Sequence, residues 1–149
     1  MLKGIDPILN AEVLHALRAM GHGDDLILCD TNFPAQSVAR RTVRGRLLRI
    51  DASLARVAKA VLSVYPLDSF VDDAAARMEI VGDPVTVPEV QREVQAEIDA
   101  AEGKARPMIG IERYAFYERA KLAYAVIQTG ERRFYGCIAL RKGVIPPEA

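Results

Sequence analysis

The sequence predicts an α/β fold, in which helices flank a largely parallel sheet and the chain ends in an antiparallel hairpin. Short apolar runs with strand character alternate along the chain with helical patterns, and the last two runs are separated only by a turn over 130–133. Alternating strands and helices favour a parallel sheet, whereas two strands joined by a short turn pair antiparallel. The length of 149 residues fits one domain, 1–149, with a buried core.

Two segments of the first fifty residues have clear patterns. Asn10 is the expected N-cap of a helix over 11–20, whose apolar residues recur on one face. The apolar run 25–29 follows as the first strand. The segment 42–44 is a candidate for a further short strand. The chain therefore opens with a helix followed by a strand.

Helix signals and apolar runs continue to alternate through the rest of the chain. Asp51 is the expected N-cap of a helix over 52–64. The sequence Thr-Val-Pro-Glu at 86–89 has the form of a capping box and predicts a helix that runs to about residue 101. The remaining predicted elements are strands over 74–81, 108–112, 124–129 and 134–140 and a short helix over 114–123. The alanines at the start of 74–81 would suit a helix as well.

The charges of the chain balance, and this excludes several classes of function. Twenty basic and twenty acidic residues cancel, so there is no electrostatic basis for binding nucleic acid or an anionic membrane surface. No apolar run approaches the ~20 residues that span a bilayer. The first ten residues, interrupted by Pro7, do not have the pattern of a signal peptide. We therefore expect neither a nucleic-acid nor a membrane partner.

The cysteines and histidines do not form a recognisable metal or cofactor motif. Cys29 and Cys137 lie in predicted strands and match no metal-binding or redox spacing, so we expect buried, reduced thiols and a cytoplasmic protein. With His15 and His22 as its histidines, one chain cannot build a histidine-rich metal site. The sequence also lacks a glycine-rich phosphate loop and a GxSxG motif. We therefore expect neither a metal nor a cofactor.

Two residues near the first strand are candidates for chemistry. His22 lies between Gly21 and Gly23, in a turn after the first helix, and Asp30 follows the strand. An imidazole exchanges protons near neutral pH, and the end of a strand is where open α/β sheets bind ligands. Both residues also have a purely structural interpretation, His22 as part of a glycine helix cap and Asp30 as a turn residue.

Further polar residues are expected at the same sheet edge as Asp30. Arg113 directly follows the 108–112 strand, Tyr117 lies one helical turn later, and Tyr135 follows the turn of the predicted hairpin. The carboxyl ends of parallel strands meet at one edge, so these side chains should surround one cleft. A carboxylate, a guanidinium and two tyrosines form a set suited to binding a polyol.

His22 precedes the first strand and is therefore expected at the opposite end. About six extended residues at ~3.3 Å each separate it from Asp30 by roughly 20 Å. Either the strand is shorter than the pattern predicts, or His22 contributes to the site of a neighbouring subunit. The second alternative predicts an oligomer with sites at its subunit interfaces. If His22 is only a cap residue, no such shared site exists.

Several sequence blocks resemble the ribose pyranase/fucose mutarotase family, and the resemblance extends over nearly the whole chain. The blocks are MGHGDDLILCD (20–30), NFPA (32–35), YPLDS (65–69), ERYAFYERAK (112–121), TGE (129–131), YG (135–136) and RKGV (141–144). The MGHGD and FYERA blocks together are specific. The FYERA block is similar to the fucose branch of the family rather than to the ribose branch.

The resemblance implies a cofactor-free isomerase that interconverts the α and β anomers of L-fucose or a related pyranose. It also implies a ring-like homo-oligomer, expected to be a decamer. The proton donor implied by the resemblance is His22. The residues implied for sugar binding are Asp30, Asp68, Arg113, Tyr117, Tyr135, Gly136 and Cys137.

Cys137 departs from the pattern of the family. The usual sequence at 135–137 is Tyr-Gly-Asn, and here a thiol replaces an amide that both donates and accepts hydrogen bonds. The departure puts the affinity and the preferred sugar in doubt. It also leaves open an alternative function, that of a non-catalytic monosaccharide-binding or sugar-transport-associated protein.

Overall fold

Residues 1–148 are the residues that the computed structural model describes, and helices and strands alternate along them except that the last two elements are both strands. The strands are β1 (Asp25–Cys29), β2 (Leu48–Ile50), β3 (Ala75–Met78), β4 (Ile109–Ile111), β5 (Ala125–Thr129) and β6 (Ile138–Arg141). The helices are α1 (Ala11–Ala19), α2 (Ala35–Ala39), α3 (Leu54–Leu62), α4 (Glu89–Glu102) and α5 (Arg113–Lys121). None of these helices is long and apolar enough to cross a membrane.

The six strands form one sheet in the order β2-β5-β1-β6-β3-β4. β5 pairs parallel with β1 and with β2, and β3 pairs parallel with β4. β6 runs antiparallel to both of its neighbours, β1 and β3. The predicted α/β class with a largely parallel sheet is therefore confirmed, and so is the antiparallel direction of the last strand.

The predicted pairing of the last two strands as a hairpin is wrong. β6 does not pair with β5 but lies on the other side of β1. The connection over 130–137 is long enough to pass across the end of β1, where the Thr31 backbone N–H donates to the carbonyl of Glu131 (2.9 Å). This crossing brings Cys137 to the end of β1, next to Asp30.

The candidate strand at 42–44 is also wrong, because this segment is a bend. The backbone N–H groups of Val43 and Arg44 donate to the carbonyls of Ala123 and Tyr124, just before β5, but Gly45 then turns the chain away with a φ of 73°. The strand forms instead at β2, where Leu48 and Ile50 are buried on either side of an exposed Arg49. The alternation of apolar and polar residues marks the true strand.

Two predicted helix starts are shifted by the residues that cap the helices. α3 begins later than predicted, because Ser53 rather than Asp51 accepts a hydrogen bond from the Arg56 backbone N–H (3.3 Å). α4 begins after Pro88, which occupies the N-cap position without a side-chain hydrogen bond. The capping box predicted at 86–89 therefore does not form.

The central strand β1 is buried on both faces and separates two apolar layers. Leu26 and Leu28 belong to the layer that includes residues of α1, α3 and α4, whereas Ile27 and Cys29 belong to the layer that includes residues of α2 and α5. All four side chains are fully buried, as is usual for the central strands of largely parallel sheets. Both ends of β1 are thereby fixed relative to the helices.

An ion-pair network connects α5 to the amino end of β1. Arg119 of α5 donates to both carboxylate oxygens of Asp25 (2.9 and 3.0 Å). Arg141 of β6 contacts Asp25 (3.3 Å) and Asp73 (2.8 Å). The side chains of Asp25 and Arg119 are each 11% exposed. Because these charges lie mostly out of water, removal of one leaves its partners without compensation.

We expect Asp25→Asn to lower the free energy of unfolding by about 3 kcal/mol, because two guanidinium groups lose their shared carboxylate. Urea unfolding followed by circular dichroism measures the change. Glu118→Gln is the matched control, since the Glu118–Lys121 pair is largely exposed and should contribute at most ~1 kcal/mol. Equal effects of the two substitutions would contradict the importance of the network.

Candidate functional site

A cleft of about 240 Å³ opens at the carboxyl ends of β1, β3 and β4. The residues that line it are Asp30, Asn32, Phe33, Met78, Arg113, Tyr117, Phe134, Tyr135 and Cys137. Five residues expected at a sugar site therefore come together here. The topology explains this, because β6 runs antiparallel and its first residues lie beside the last residues of β1. Their participation in binding stays a prediction.

Asp30 connects the end of β1 to the start of β6. One carboxylate oxygen, Oδ1, accepts hydrogen bonds from the backbone N–H groups of Asn32 and Phe33 (both 2.9 Å). The other, Oδ2, accepts from the Gly136 N–H (3.0 Å) and lies 3.7 Å from the Cys137 Sγ. Asp30 is buried. Three backbone N–H groups therefore donate to this carboxylate, and its remaining acceptor position faces the Cys137 thiol, which is a weak donor.

Gly136 packs closely against Asp30 and Glu131. A Cβ atom at this position would lie 3.2 Å from the Asp30 Cβ and 3.1 Å from the Glu131 Cγ. A side chain at this position would therefore displace Asp30 or Glu131 by a few tenths of an ångström. The predicted role of Gly136 in binding stays a prediction, and the structure gives the residue a clear packing role.

Tyr135 adopts a backbone conformation that is rare for residues other than glycine. Its φ is 62°, which places it in the left-handed region, where a Cβ is disfavoured. Its hydroxyl oxygen accepts a hydrogen bond from the Val81 backbone N–H (3.2 Å). The hydroxyl hydrogen can therefore point into the cleft. Strained residues of this kind concentrate at functional sites.

Arg113 and Tyr117 lie one turn apart at the start of α5. The Arg113 Nε donates to the Tyr117 hydroxyl (3.0 Å), and the guanidinium lies 5.3 and 5.4 Å from the ring centres of Tyr114 and Tyr117. The hydrogen bond to Tyr117 raises the pKa of the Arg113 guanidinium. The hydrogen bond and the two cation–π contacts therefore fix the orientation of the guanidinium.

Behind the cleft, Glu131 holds the connection between β5 and β6. Its carboxylate accepts hydrogen bonds from the Arg133 guanidinium (3.0 Å) and from the backbone N–H of Leu54 (3.3 Å). Arg133 also donates to Glu93 on α4 (2.6 Å). The hydrogen bond from Arg133 is the main cause that lowers the pKa of Glu131 from its usual value of 4.5 to about 2.

This depressed pKa predicts a specific acid sensitivity. Above a pH of about 4.5 the stabilising contribution of Glu131 is complete, and it is lost as the pH falls from 4.5 to about 2, because the unfolded chain binds the proton first. We expect Glu131→Gln to destabilise the protein at neutral pH and to flatten the decline of stability over this range. Urea unfolding at several pH values measures both effects. Glu118→Gln, an exposed substitution, should keep the wild-type slope, and an unchanged slope in Glu131→Gln would contradict the assignment.

His22 and Asp68 form a second cluster, outside the lining of the cleft. The His22 Nε2 lies 3.1 Å from the Asp68 Oδ1, and the imidazole lies 5.4 Å from the Phe70 ring. The side chain of Asp68 is 4% exposed and that of His22 is 44% exposed. The Phe70 backbone N–H (3.0 Å) and, to a smaller extent, His22 lower the pKa of Asp68. The pair is an exposed imidazole held by a buried carboxylate.

The location of His22 decides one of the alternatives raised by the sequence. β1 spans Asp25–Cys29 as predicted and is not shorter. The N–H of Gly23 donates to the carbonyl of Lys142, just after β6, whereas Cys137, just before β6, faces the cleft. His22 and Asp30 therefore lie at opposite ends of the sheet. A single chain does not bring them into one site.

Sequence reasoning missed several residues around the cleft. Met78 and Phe134 line it, and a fully buried glutamine, Gln91, contacts the Tyr135 carbonyl from α4 (2.8 Å). Glu131 belongs to a recognised block but its support of the connection was not predicted. Met78 could have been predicted from its position at the end of a strand. The contacts of Phe134, Gln91 and Glu131 could not, because they depend on how distant segments pack.

Similarity to known proteins identifies the family. Residues 3–145 match the RbsD / FucU transport protein family. The fucose mutarotase of Danio rerio is 41% identical over 157 residues, which cover 99% of this chain and 97% of that protein. The human fucose mutarotase is 42% identical, and the match covers 97% of this chain and 94% of that protein. The chain therefore belongs to the RbsD/FucU family, and the predicted family resemblance is confirmed.

Solved structures agree with this family. A protein proposed to bind sugar is 65% identical, with a TM-score of 0.96 over 98% of this chain and 97% of that one. The fucose mutarotase of Streptococcus pneumoniae, solved in complex with L-fucose, is 34% identical, with a TM-score of 0.86 over 97% of this chain and 100% of that one. The RbsD protein of Bacillus subtilis is 16% identical with a TM-score of 0.69, over 97% of this chain and 99% of that one, and shares the fold.

Proposed function

We propose that this protein is a sugar mutarotase that interconverts the α and β anomers of L-fucose or a closely related pyranose. One observation carries the proposal: a chain similar over its full length to fucose mutarotases has a polar, aromatic-lined cleft at the sheet edge where α/β proteins bind ligands. The L-fucose complex of the Streptococcus pneumoniae relative supports the choice of sugar.

The cleft offers complementary groups for a pyranose. The Arg113 guanidinium can donate to two neighbouring hydroxyl groups, and the Tyr135 hydroxyl can donate to a third. The rings of Phe33 and Tyr117, which pack edge to face with their centres 5.5 Å apart, provide apolar surface for the C–H face of the sugar. Asp30 contributes the acceptor position that now faces the Cys137 thiol.

The proposed reaction is a pair of proton transfers. One group donates a proton to the ring oxygen while another accepts the proton of the anomeric hydroxyl, and the bond from C1 to the ring oxygen breaks. The open aldehyde rotates, and the ring closes on the other face of the carbonyl with the proton transfers reversed. No redox partner and no group carrier is needed, and general acid–base catalysis typically contributes about 10²–10⁴-fold.

His22 is the proposed proton donor, and Asp68 positions it. When the imidazole Nε2 carries hydrogen toward the Asp68 carboxylate (3.1 Å), the Nδ1 is the nitrogen that exchanges a proton with the sugar. An imidazole suits the role, because its two ring nitrogens can donate and accept protons.

The separation of His22 from the cleft supports a site shared between subunits. A neighbouring subunit would place its His22–Asp68 pair over the cleft that Asp30 and Arg113 line. We therefore propose a homo-oligomer with sites at its interfaces and, from the resemblance to the family, a decameric ring. A cytoplasmic location is part of the proposal and fits the two free, buried cysteines.

A non-catalytic sugar-binding protein is the second candidate, because Cys137 stands where the family pattern has asparagine. Burial and the adjacent Asp30 carboxylate raise the pKa of the Cys137 thiol well above its usual value. The thiol therefore stays neutral and is a weak hydrogen-bond donor. Measurement of anomer exchange separates this candidate from a mutarotase.

The test is anomer exchange followed by saturation-transfer NMR on L-fucose, D-ribose, galactose and glucose, with and without protein. We expect the wild-type protein to accelerate exchange of L-fucose, and His22→Gln to lower that acceleration by about 10²-fold or more. His15→Gln is the matched control, since it changes an exposed histidine of α1 and should leave the rate unchanged.

Each outcome has a defined meaning. Acceleration for another sugar alone keeps the reaction and changes the substrate. Sugar binding without acceleration would favour the second candidate, and an absence of both would contradict the proposed function. Full activity in His22→Gln would exclude His22 as the proton donor while the mutarotase itself stands.

A further inference from the structure

A fully buried glutamine lies behind the cleft, outside the set of residues proposed to touch the sugar. Gln91 is in the first turn of α4 and has no exposed surface. Its Nε2 donates to two backbone carbonyls, those of Met78 (2.7 Å) and Tyr135 (2.8 Å). A buried amide is costly unless its hydrogen bonds are made, so these two contacts account for its presence in the core.

Arg77 fixes the orientation of this amide. The Arg77 Nη1 lies 3.4 Å from the Gln91 Oε1, and its Nη2 donates to the Pro84 carbonyl (3.2 Å). A guanidinium only donates hydrogen bonds, so the amide oxygen must face Arg77 and the NH₂ group must face the two carbonyls. Both NH₂ hydrogens are then used, one on each carbonyl.

One of these carbonyls belongs to the strained residue of the cleft. Tyr135 has a φ of 62°, a conformation that persists in residues other than glycine only where the surroundings enforce it. Its side chain is held at the other end by the Val81 N–H, which donates to the hydroxyl oxygen (3.2 Å). The Gln91 amide holds the backbone end. The two contacts together keep the ring at the wall of the cleft.

We infer that Gln91 is a positioning residue for sugar binding, which holds Tyr135 in its left-handed conformation so that the phenol faces the cleft. Gln91 does not line the cleft itself, so it acts through Tyr135. The inference rests on the proposed function for its effect on catalysis, and on the backbone geometry of Tyr135 for its structural part.

The strain at Tyr135 sets the size of the effect. Without the Gln91 donor, the Tyr135 carbonyl loses the hydrogen bond that holds it in its present position, and the backbone relaxes toward the ordinary regions of φ. The fraction of molecules with a competent cleft falls, and the apparent affinity falls in proportion, by about tenfold for strain of the usual size. Because Tyr135 binds the sugar throughout the proposed reaction, the loss appears in KM rather than in kcat.

Two substitutions at Gln91 and one control test the inference. Gln91→Met keeps the length of the side chain and removes the donors. Gln91→Glu also removes the donors but keeps a partner for Arg77, which protects folding if the methionine variant is unstable. Val94→Ala is the matched control, since it truncates another fully buried residue of α4. Val94 belongs to the apolar layer with α1 and α3, whereas Tyr135 packs against the other layer. Crystal structures, and the dependence of anomer exchange on sugar concentration, are measured for all three variants and the wild type.

We expect both Gln91 variants to show a negative φ at Tyr135 and a KM about tenfold higher, with kcat within about threefold of wild type. Val94→Ala should keep the φ and the KM even where it lowers the midpoint of thermal unfolding. A left-handed Tyr135 and a wild-type KM in Gln91→Glu would overturn the inference, as would an equal rise of KM in Val94→Ala. If the wild-type protein neither binds nor interconverts a sugar, the proposed function fails, and the φ of Tyr135 in the variants still decides the structural part.

Discussion

The contact between the end of β1 and the start of β6 determines the shape of the cleft. The Asp30 carboxylate accepts a hydrogen bond from the Gly136 N–H (3.0 Å), and a Cβ at Gly136 would lie 3.2 Å from the Asp30 Cβ. The contact is possible because the last strand enters the sheet between β1 and β3. It brings Tyr135 and Cys137, far along the chain, to the end of the first strand.

Several hydrogen bonds and ion pairs hold the residues that surround the cleft. Glu131 and Arg133 hold the connection that crosses β1, and the Gln91 amide holds the Tyr135 carbonyl from α4. On the other side, α5 presents Arg113 at its first residue, while its last turn is tied to β1 through the pair of Arg119 and Asp25 (2.9 Å). A polar cleft is thereby built on rigid elements, which is what precise positioning of a small ligand requires.

The opposite edge of the sheet carries different chemistry. There the buried Asp68 carboxylate holds an exposed imidazole, and neither residue lines the cleft. The two halves of the proposed site are thus complementary in function and separate in one chain. A repeated subunit can join them, since in a symmetric oligomer each copy offers both surfaces.

Much of the fold follows from local sequence patterns. The apolar run of β1, the helical spacing of α1 and α3, and the position of Arg113 after β4 were predicted, because each depends on residues near one another in the chain. These patterns also placed Asp30, Arg113, Tyr117 and Tyr135 at one edge. The resemblance to the family added Asp68 and gave His22, already a candidate from its position in the turn, the role of proton donor. The pairing of these two residues across the chain has no local signal.

The remaining features depend on contacts between distant segments. A turn at 130–133 is compatible with a hairpin or with a crossing over β1, and only the buried environment of β1 selects the crossing. The left-handed backbone of Tyr135 has no marker in the residue type. Gln91 is one polar residue in a charged helix until packing shows that it is fully buried.

The central claim is that each site is completed by a neighbouring subunit. Coexpression of two differently tagged variants, His22→Gln and Arg113→Gln, followed by isolation of the mixed oligomer, tests it most directly. Each variant alone should lack activity. A shared site predicts that random mixing restores about a quarter of the wild-type sites, those that pair an intact cleft with an intact His22. A mixed oligomer no more active than its parents would contradict the claim.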